Sequence, residues 1–292
     1  MGLLLSILSG VLALVNGIAF SLGSSDRKQI YVFNFLAPLF ILIISSVFSV
    51  NWGVVLDTGL IYPVRTVLVL VISGFCGLGY IMMLMFAMNT GPHSLSLCLG
   101  ESCLVIPYLL SVLFWHDRLD PAGLTGVVLI VASIIIIGLT KEKKIEKSDF
   151  SSKWFIFMII AFILGGIELT IYTLPNRWAG WTDVANIRPA LIQFGKLSIL
   201  IPIISKKIKI QRKTILIALM SAVFNFLIVV IQFKAMDYLV KDQMLAVLYP
   251  VAIGTSILLF TAYSRFFRKE KLAPMANFSM VTILAGIILL SL

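Results

Sequence analysis

The chain has 292 residues, 60% of them hydrophobic and only 12% charged, with a mean hydropathy of +1.07. Soluble domains carry roughly 25% charged residues, so this chain lacks the polar surface to dissolve and reads as an integral membrane protein. The formal net charge of +10 would suit nucleic acid, but the basic residues sit in short loops between apolar runs, where topology and anionic head groups account for them and no nucleic-acid partner is expected.

A helix crossing about 30 Å of hydrocarbon needs about 20 apolar residues. Ten runs qualify: 3–22, 30–50, 65–87, 94–115, 121–140, 153–174, 184–205, 213–236, 242–264 and 272–291. None alternates, so all predict helices, because backbone groups in lipid must be satisfied within the segment. The first run starts too early for a cleavable signal and is read as an anchor; it carries Asn16. The second contains Pro38. The third has Gly74, Gly77 and Gly79 for close helix contacts, and Met82, Met83, Met85 and Met88 as plain packing.

The fourth run holds Glu101 in an apolar field, with Ser94 and Tyr108 seven residues to either side and therefore near one helical face. Pro107 predicts a kink there. His93 and His116 sit at loop ends and read as solvated. After the fifth run comes a Lys/Glu-rich loop at 141–152. The sixth carries Glu168 beside Gly165 and Gly166, with Tyr172 one turn on. The seventh contains Arg188, just before Pro189, and Lys196. Proline disfavours a helical residue before it, so this span is expected to start irregularly. In the eighth, Asn225 and Gln232 share a face; in the ninth, Tyr249 and Ser256 do.

Glu101, Glu168, Arg188 and Lys196 each cost roughly 2.5–3.5 kcal/mol at a helix centre. Each therefore needs a partner, a cavity or a function. The plain structural reading leaves Glu101 protonated or pairs it with Lys196, and pairs Glu168 with Arg188. The functional reading makes these four, with Tyr108, Asn16, Asn225, Gln232 and Tyr249, a substrate-binding or coupling set. Neutral polar residues in spans often act only as interhelical glue.

The cysteines Cys76, Cys98 and Cys103 lie within apolar runs and offer neither a disulfide framework nor metal-ligand spacing. No GxSxG, HExxH or Walker pattern appears, so neither an enzyme, a cofactor, a metal site nor direct use of ATP is expected. Lysines and arginines cluster at 27–28, 141–153, 206–213 and 265–271, all on one side of a ten-span layout; Arg65, Arg118, Arg177, Lys234 and Lys241 fall on the other. The positive-inside rule then places both termini outside.

Residues 87–140 and 235–290 share an ordered pattern: "AM", an apolar helix, a charged turn ("HDRLDP" and "KEKLAP"), and a Gly-containing helix. This implies two five-helix repeats, 1–140 and 153–292, joined by the basic loop at 141–152. Five is odd, so the second repeat is inverted, an arrangement typical of secondary transporters. The stretches "LFWHDRLDPAGLTGVVLIVASIIIIG" at 113–138 and "SRFFRKEKLAPMANFSMVTILAGIILL" at 264–290 resemble the drug/metabolite transporter superfamily in its ten-helix EamA-like form. "GTSILLFTAYSRFFRKEKL" at 254–272 is also similar to small multidrug resistance proteins. The resemblance implies an all-α membrane fold of ten transmembrane helices. It also implies alternating-access transport of a small molecule, without naming the substrate, by a monomer or homodimer.

Many ten-helix relatives keep both termini in the cytoplasm, against the charge count here. The small multidrug proteins carry a glutamate in their first helix, where this chain has Asn16. The expected function is secondary transport of a small polar, amino-acid-like metabolite, with proton coupling through a buried carboxylate. Transport of choline-like amines or drugs, and a non-transporting subunit, are the alternatives. The expected location is a bacterial inner or plasma membrane.

Overall fold

The computed structural model describes residues 1–48, 50, 64–115, 121–139, 152–174, 187–199, 208–241, 248–271 and 274–289. These residues form an all-helical bundle without strands. In chain order the helices are α1 (Gly2–Gly23), α2 (Arg27–Phe48), α3 (Val64–Thr90), α4 (His93–Glu101), α5 (Val105–Trp115), α6 (Pro121–Leu139), α7 (Ser152–Thr173), α8 (Arg188–Lys196), α9 (Arg212–Lys241), α10 (Leu248–Phe266) and α11 (Pro274–Leu289). Six stretches are long and apolar enough to cross a membrane: α1, α2, α3, the combined α4–α5 segment, α7 and α9. Helices α6, α10 and α11 contain shorter apolar segments. The expected seventh span, 184–205, is described only over 187–199. The loop at 141–152, apart from Ser152, and His116 lie outside the described residues.

The fourth expected span is not one continuous α-helix. A 3₁₀ turn at Ser102–Leu104 separates α4 from α5. Pro107 supplies the reason: it has no N–H to donate to Cys103, and its ring crowds that carbonyl. The turn also corrects the expected Ser94–Glu101–Tyr108 stripe. Three 3₁₀ residues advance about 20° more each than α-helical ones, rotating Tyr108 by about 60° off the face that Ser94 and Glu101 share. Proline behaves differently in α8, where Pro189 occupies the second position. There its missing donor is one the helix would leave unused; the expected irregularity falls just before it, where Ile187 is in 3₁₀ conformation, and a second 3₁₀ turn follows α8 at Leu197–Ile199.

Apolar packing falls mainly into two clusters. One joins α3, α4, α7, α10 and α11 through residues such as Leu84, Met88, Leu95, Trp154, Phe260 and Ile283. The other joins α1, α2, α3 and α9 through Ala19, Phe33, Met85 and Ala218. Met85 and Met88 are buried in these clusters, as a packing role predicts.

Helix contacts follow an exchange rule. Helix α1 packs on α9 and α10, while α7 packs on α3 and on α4–α5; α3 packs on α8, while α9 packs on α2. Swapping α1 with α7, α2 with α8, α3 with α9, α4–α5 with α10, and α6 with α11 converts each pair into its counterpart. The contacts α2 with α8, α4 with α10 and α6 with α11 map onto themselves. The sequence supports the same register: Thr66, Leu68, Ser73, Ala87 and Met88 of α3 match Thr214, Leu216, Ser221, Ala235 and Met236 of α9. In both helices the threonine, the serine and the alanine are buried.

One end of the bundle gathers the described members of the basic clusters, among them Arg27, Lys153, Lys209, Arg212 and Arg268. The α1–α2 turn, the α3–α4 turn, the start of α7, the segment leading into α9 and the turn after α10 meet there. Asn89 donates to the Ser24 carbonyl at 2.7 Å and accepts from Arg27 Nε at 3.1 Å. Thr214 donates to Gln29 Oε1 at 2.8 Å, and Gln29 donates to the Lys209 carbonyl at 2.9 Å. Trp154 Nε1 donates to Ser96 Oγ at 2.8 Å.

Candidate functional site

A cavity of about 220 Å³ lies between α2, α7, α8, α9 and α10. It occupies the half of the bundle away from the basic end. Its walls include Glu168 and Tyr172 near the end of α7, Pro189 and Gln193 in α8, Asn225 and Gln232 in α9, and Tyr249 at the start of α10.

Close backbone approaches build this site. Helices α3 and α8 cross at Gly74 and Gly195. A Cβ on Gly74 would strike the Ile192 carbonyl, and one on Gly195 would strike that of Val71. The glycine pair therefore lets α8 lie directly on α3. Helix α7 meets α3 at Gly77, where an added Cβ would fall on the Glu168 carboxylate. Glu168 thus fits into the space left by an absent side chain, while Ser73 Oγ donates to its backbone carbonyl at 3.3 Å.

Within the cavity wall, Lys196 Nζ stands 3.2 Å from Glu168 Oε1. Both side chains are largely shielded, at 10% and 16% exposure. At this spacing in a bilayer, each charge offsets much of the other's desolvation. Gln193, one turn before Lys196, is buried, and its side-chain oxygen has no hydrogen-bond partner. The Arg188 guanidinium lies 4.6 Å from the centre of the Tyr172 ring, a cation–π arrangement at the cavity edge.

Both pairings expected from the sequence are corrected. Lys196 pairs with Glu168 rather than Glu101, because the Gly74–Gly195 crossing sets α8 beside the Gly77 gap that Glu168 enters. Arg188 stacks on Tyr172 instead of bridging to Glu168.

Of the nine residues singled out, Glu168, Lys196, Asn225, Gln232 and Tyr249 line one cavity, and Arg188 borders it through Tyr172. Glu101, Tyr108 and Asn16 stand outside. Glu101 accepts a hydrogen bond from the Tyr80 hydroxyl at 3.3 Å. Tyr108 packs against the larger apolar cluster. Asn16 accepts from Ser221 Oγ at 3.0 Å, which ties α1 to α9. Gln193 and Tyr80 were not singled out. The i, i+3 spacing of Gln193 and Lys196 was the available signal for the first; for the second, nothing local marks Tyr80 as a partner of a carboxylate 21 residues away. His93, expected to be solvated, is half-buried beneath Arg268.

No protein-family model matches the chain, and no curated protein does. Among solved structures, 16 chains match. One crystal structure superposes with a TM-score of 0.58 over 97% of this chain and 95% of the other, at 13% identity. At that identity the likeness establishes a shared fold and nothing about activity.

Proposed function

We propose that this protein is a secondary transporter of a small, polar, amino-acid-like metabolite. It works by alternating access between two inverted five-helix halves. The observation carrying this reading is the neutral Glu168–Lys196 pair set in a cavity with Gln193, Asn225, Gln232 and Tyr249.

An ion pair in a cavity wall is a ready exchange partner for a zwitterion. A ligand carboxylate takes Lys196 and an ammonium takes Glu168, so charge remains compensated throughout. The unpartnered Gln193 oxygen offers the ammonium a further acceptor. With no surplus negative charge in the pair, a simple cation ranks behind a zwitterion. The volume also favours a small solute: cavities for drug-sized ligands run to roughly 300–1,000 Å³.

The exchange-related packing and the shared α3/α9 register support two inverted halves. The resemblance to EamA-like transporters points the same way, toward ten spans in a bacterial inner membrane. The basic end faces the cytoplasm under the positive-inside rule. Both termini and the cavity then lie towards the outside.

The test is a melting-temperature screen of the purified protein with amino acids, sugars, nucleotides, choline-like amines and cationic drugs. Glu168→Gln and Lys196→Met run beside the parent. A bound ligand raises the melting point by mass action. An amino-acid response absent from both variants supports the reading, and solute uptake into proteoliposomes then completes it. A response only to amines or drugs transfers the site to cations. No response from any class, with no uptake, favours a non-transporting subunit.

A further inference from the structure

A second recess, about 580 Å³, lies at the basic end, where the α3–α4 turn meets the turn after α10. Arg268 reaches across it. Its Nη1 donates to Ser21 Oγ on α1 at 2.9 Å, and its Nη2 lies 2.7 Å from His93 Nε2 at the head of α4. Glu270 Oε2 accepts from the backbone N–H of Ser94 at 3.2 Å. The turn itself is tightly held: Lys269 takes a φ of 55°, in the left-handed region that side chains other than glycine disfavour. The N–H of Glu270 closes on the Ser264 carbonyl at 3.1 Å. One turn thus fastens the ends of α1 and α4.

We propose that the Arg268–His93 contact is the proton-sensitive bolt of a gate at the basic end, shut while His93 is neutral and released when it is protonated. The inference rests on the transporter reading above. Under that reading α1 and α4 belong to the first half and the α10 turn to the second, so opening this end must break the contact. The ties of Gln29 to Thr214 and Lys209 and of Trp154 to Ser96 also cross the halves at the same end and add to the closure.

The chemistry sets the direction. A guanidinium only donates, so His93 Nε2 must present its lone pair. The closed form therefore holds the neutral imidazole, with its proton on Nδ1. An added proton removes that lone pair and sets two cations against each other. Cations predominate nearby: Arg268, Lys269 and Lys271 line the recess with a single carboxylate, Glu270, whose Oε2 accepts from Ser94 and whose Oε1 is buried without a hydrogen-bond partner. Helix α1 contributes Ser21; α3 contributes Asn89, which holds Arg27 from α2. Helix α7 brings Trp154 against Gly91. His93 Nδ1 is buried without a hydrogen-bond partner. Once the gate opens, His93 becomes an ordinary imidazole titrating near pH ~6.5. Below that pH, each unit favours the open form by up to about tenfold.

Hydrogen exchange of the full chain in lipid nanodiscs tests this, read by mass spectrometry over 91–99 and 264–271. Exposure times are scaled to the intrinsic pH dependence of exchange. Between pH 7.5 and 5.5 the parent is expected to lose protection at 94–96 by about tenfold. His93→Gln, which keeps an acceptor for Arg268 but cannot titrate, should show the same protection at both pH values. Arg268→Gln should be unprotected at both. Protection in the parent that does not change with pH overturns the proposal, as does an equal loss in His93→Gln. This readout requires no solute. A pH-dependent opening in a protein that transports nothing would therefore count against the transporter reading alone, and pH-independent protection in an active transporter against the bolt alone.

Discussion

The α3–α7 and α9–α1 crossings share a register and end differently. Ser73 and Ser221 occupy equivalent positions on α3 and α9, and each hydroxyl donates across its crossing. Ser73 reaches the Glu168 backbone carbonyl, and Ser221 reaches the Asn16 side chain. At the first crossing Gly77 leaves a gap and a carboxylate enters it. At the second, Asn225 stands where Gly77 would be and lines the cavity. The difference shows how two copies of one packing solution divide the work. A neutral, satisfied polar contact holds a crossing together. A charged one, given space by a missing side chain, equips a cavity.

The largest expected effect comes from stripping the charged crossing of its counter-charge. Lys196→Met leaves Glu168 unpaired inside the bilayer and should cost about 3–5 kcal/mol, read as a fall in melting temperature or in the denaturant midpoint. Adding Glu168→Gln should restore most of it; failure to do so would mean the pair contributes little to stability. Next is the backbone contact that brings Lys196 into reach. Gly74→Ala forces a methyl group against the Ile192 carbonyl, with no flexible side chain to yield, and should cost about 1–3 kcal/mol. Gly77→Ala meets the Glu168 side chain, which can move, so its signature should be weakened ligand binding with a smaller change in stability. An equal stability loss at both glycines would show that Glu168 is as rigidly held as backbone. The smallest effect belongs to the neutral crossing: Ser221→Ala should cost about 0.6 kcal/mol and leave ligand response intact. A lost response there would make Asn16 part of the site after all.

Much of the fold was legible because crossing a bilayer imposes a length and a composition on each helix, and both can be counted. The span limits at 3–22, 65–87 and 121–140 fall within a few residues of α1, α3 and α6. The charged residues inside spans were legible for the same reason, since each is costly in lipid and stands out. Their partners were not. Lys196 and Glu168 are joined by a crossing at Gly74 and Gly195; Gly195 stands next to Lys196 in the chain, but its partner Gly74 is far away in sequence, and nothing local says that the two glycines meet. The Glu101 stripe failed for a local reason: helical-face arithmetic assumes an unbroken 3.6-residue turn, and Pro107 removes one carbonyl's partner. The register shared by Thr66, Ser73 and Ala87 with Thr214, Ser221 and Ala235 was present in the chain, but it is sparse, and only burial reveals which of the intervening positions matter.

The exchange-related contacts also bear on biogenesis. Helices α1 and α3 find their main partners in α9, α10, α7 and α8, all of which emerge later from the ribosome. Helix α6 finds its own in α11, the last of the described helices. A nascent chain carrying only α1 to α6 therefore holds inserted helices whose partners do not yet exist, and lipid must cover their small-residue faces meanwhile. Assembly belongs to the stage after insertion, when helices already in the membrane find one another. Two separately synthesised pieces divided between α6 and α7 should then complete each other in one membrane, while either alone remains a set of helices awaiting partners.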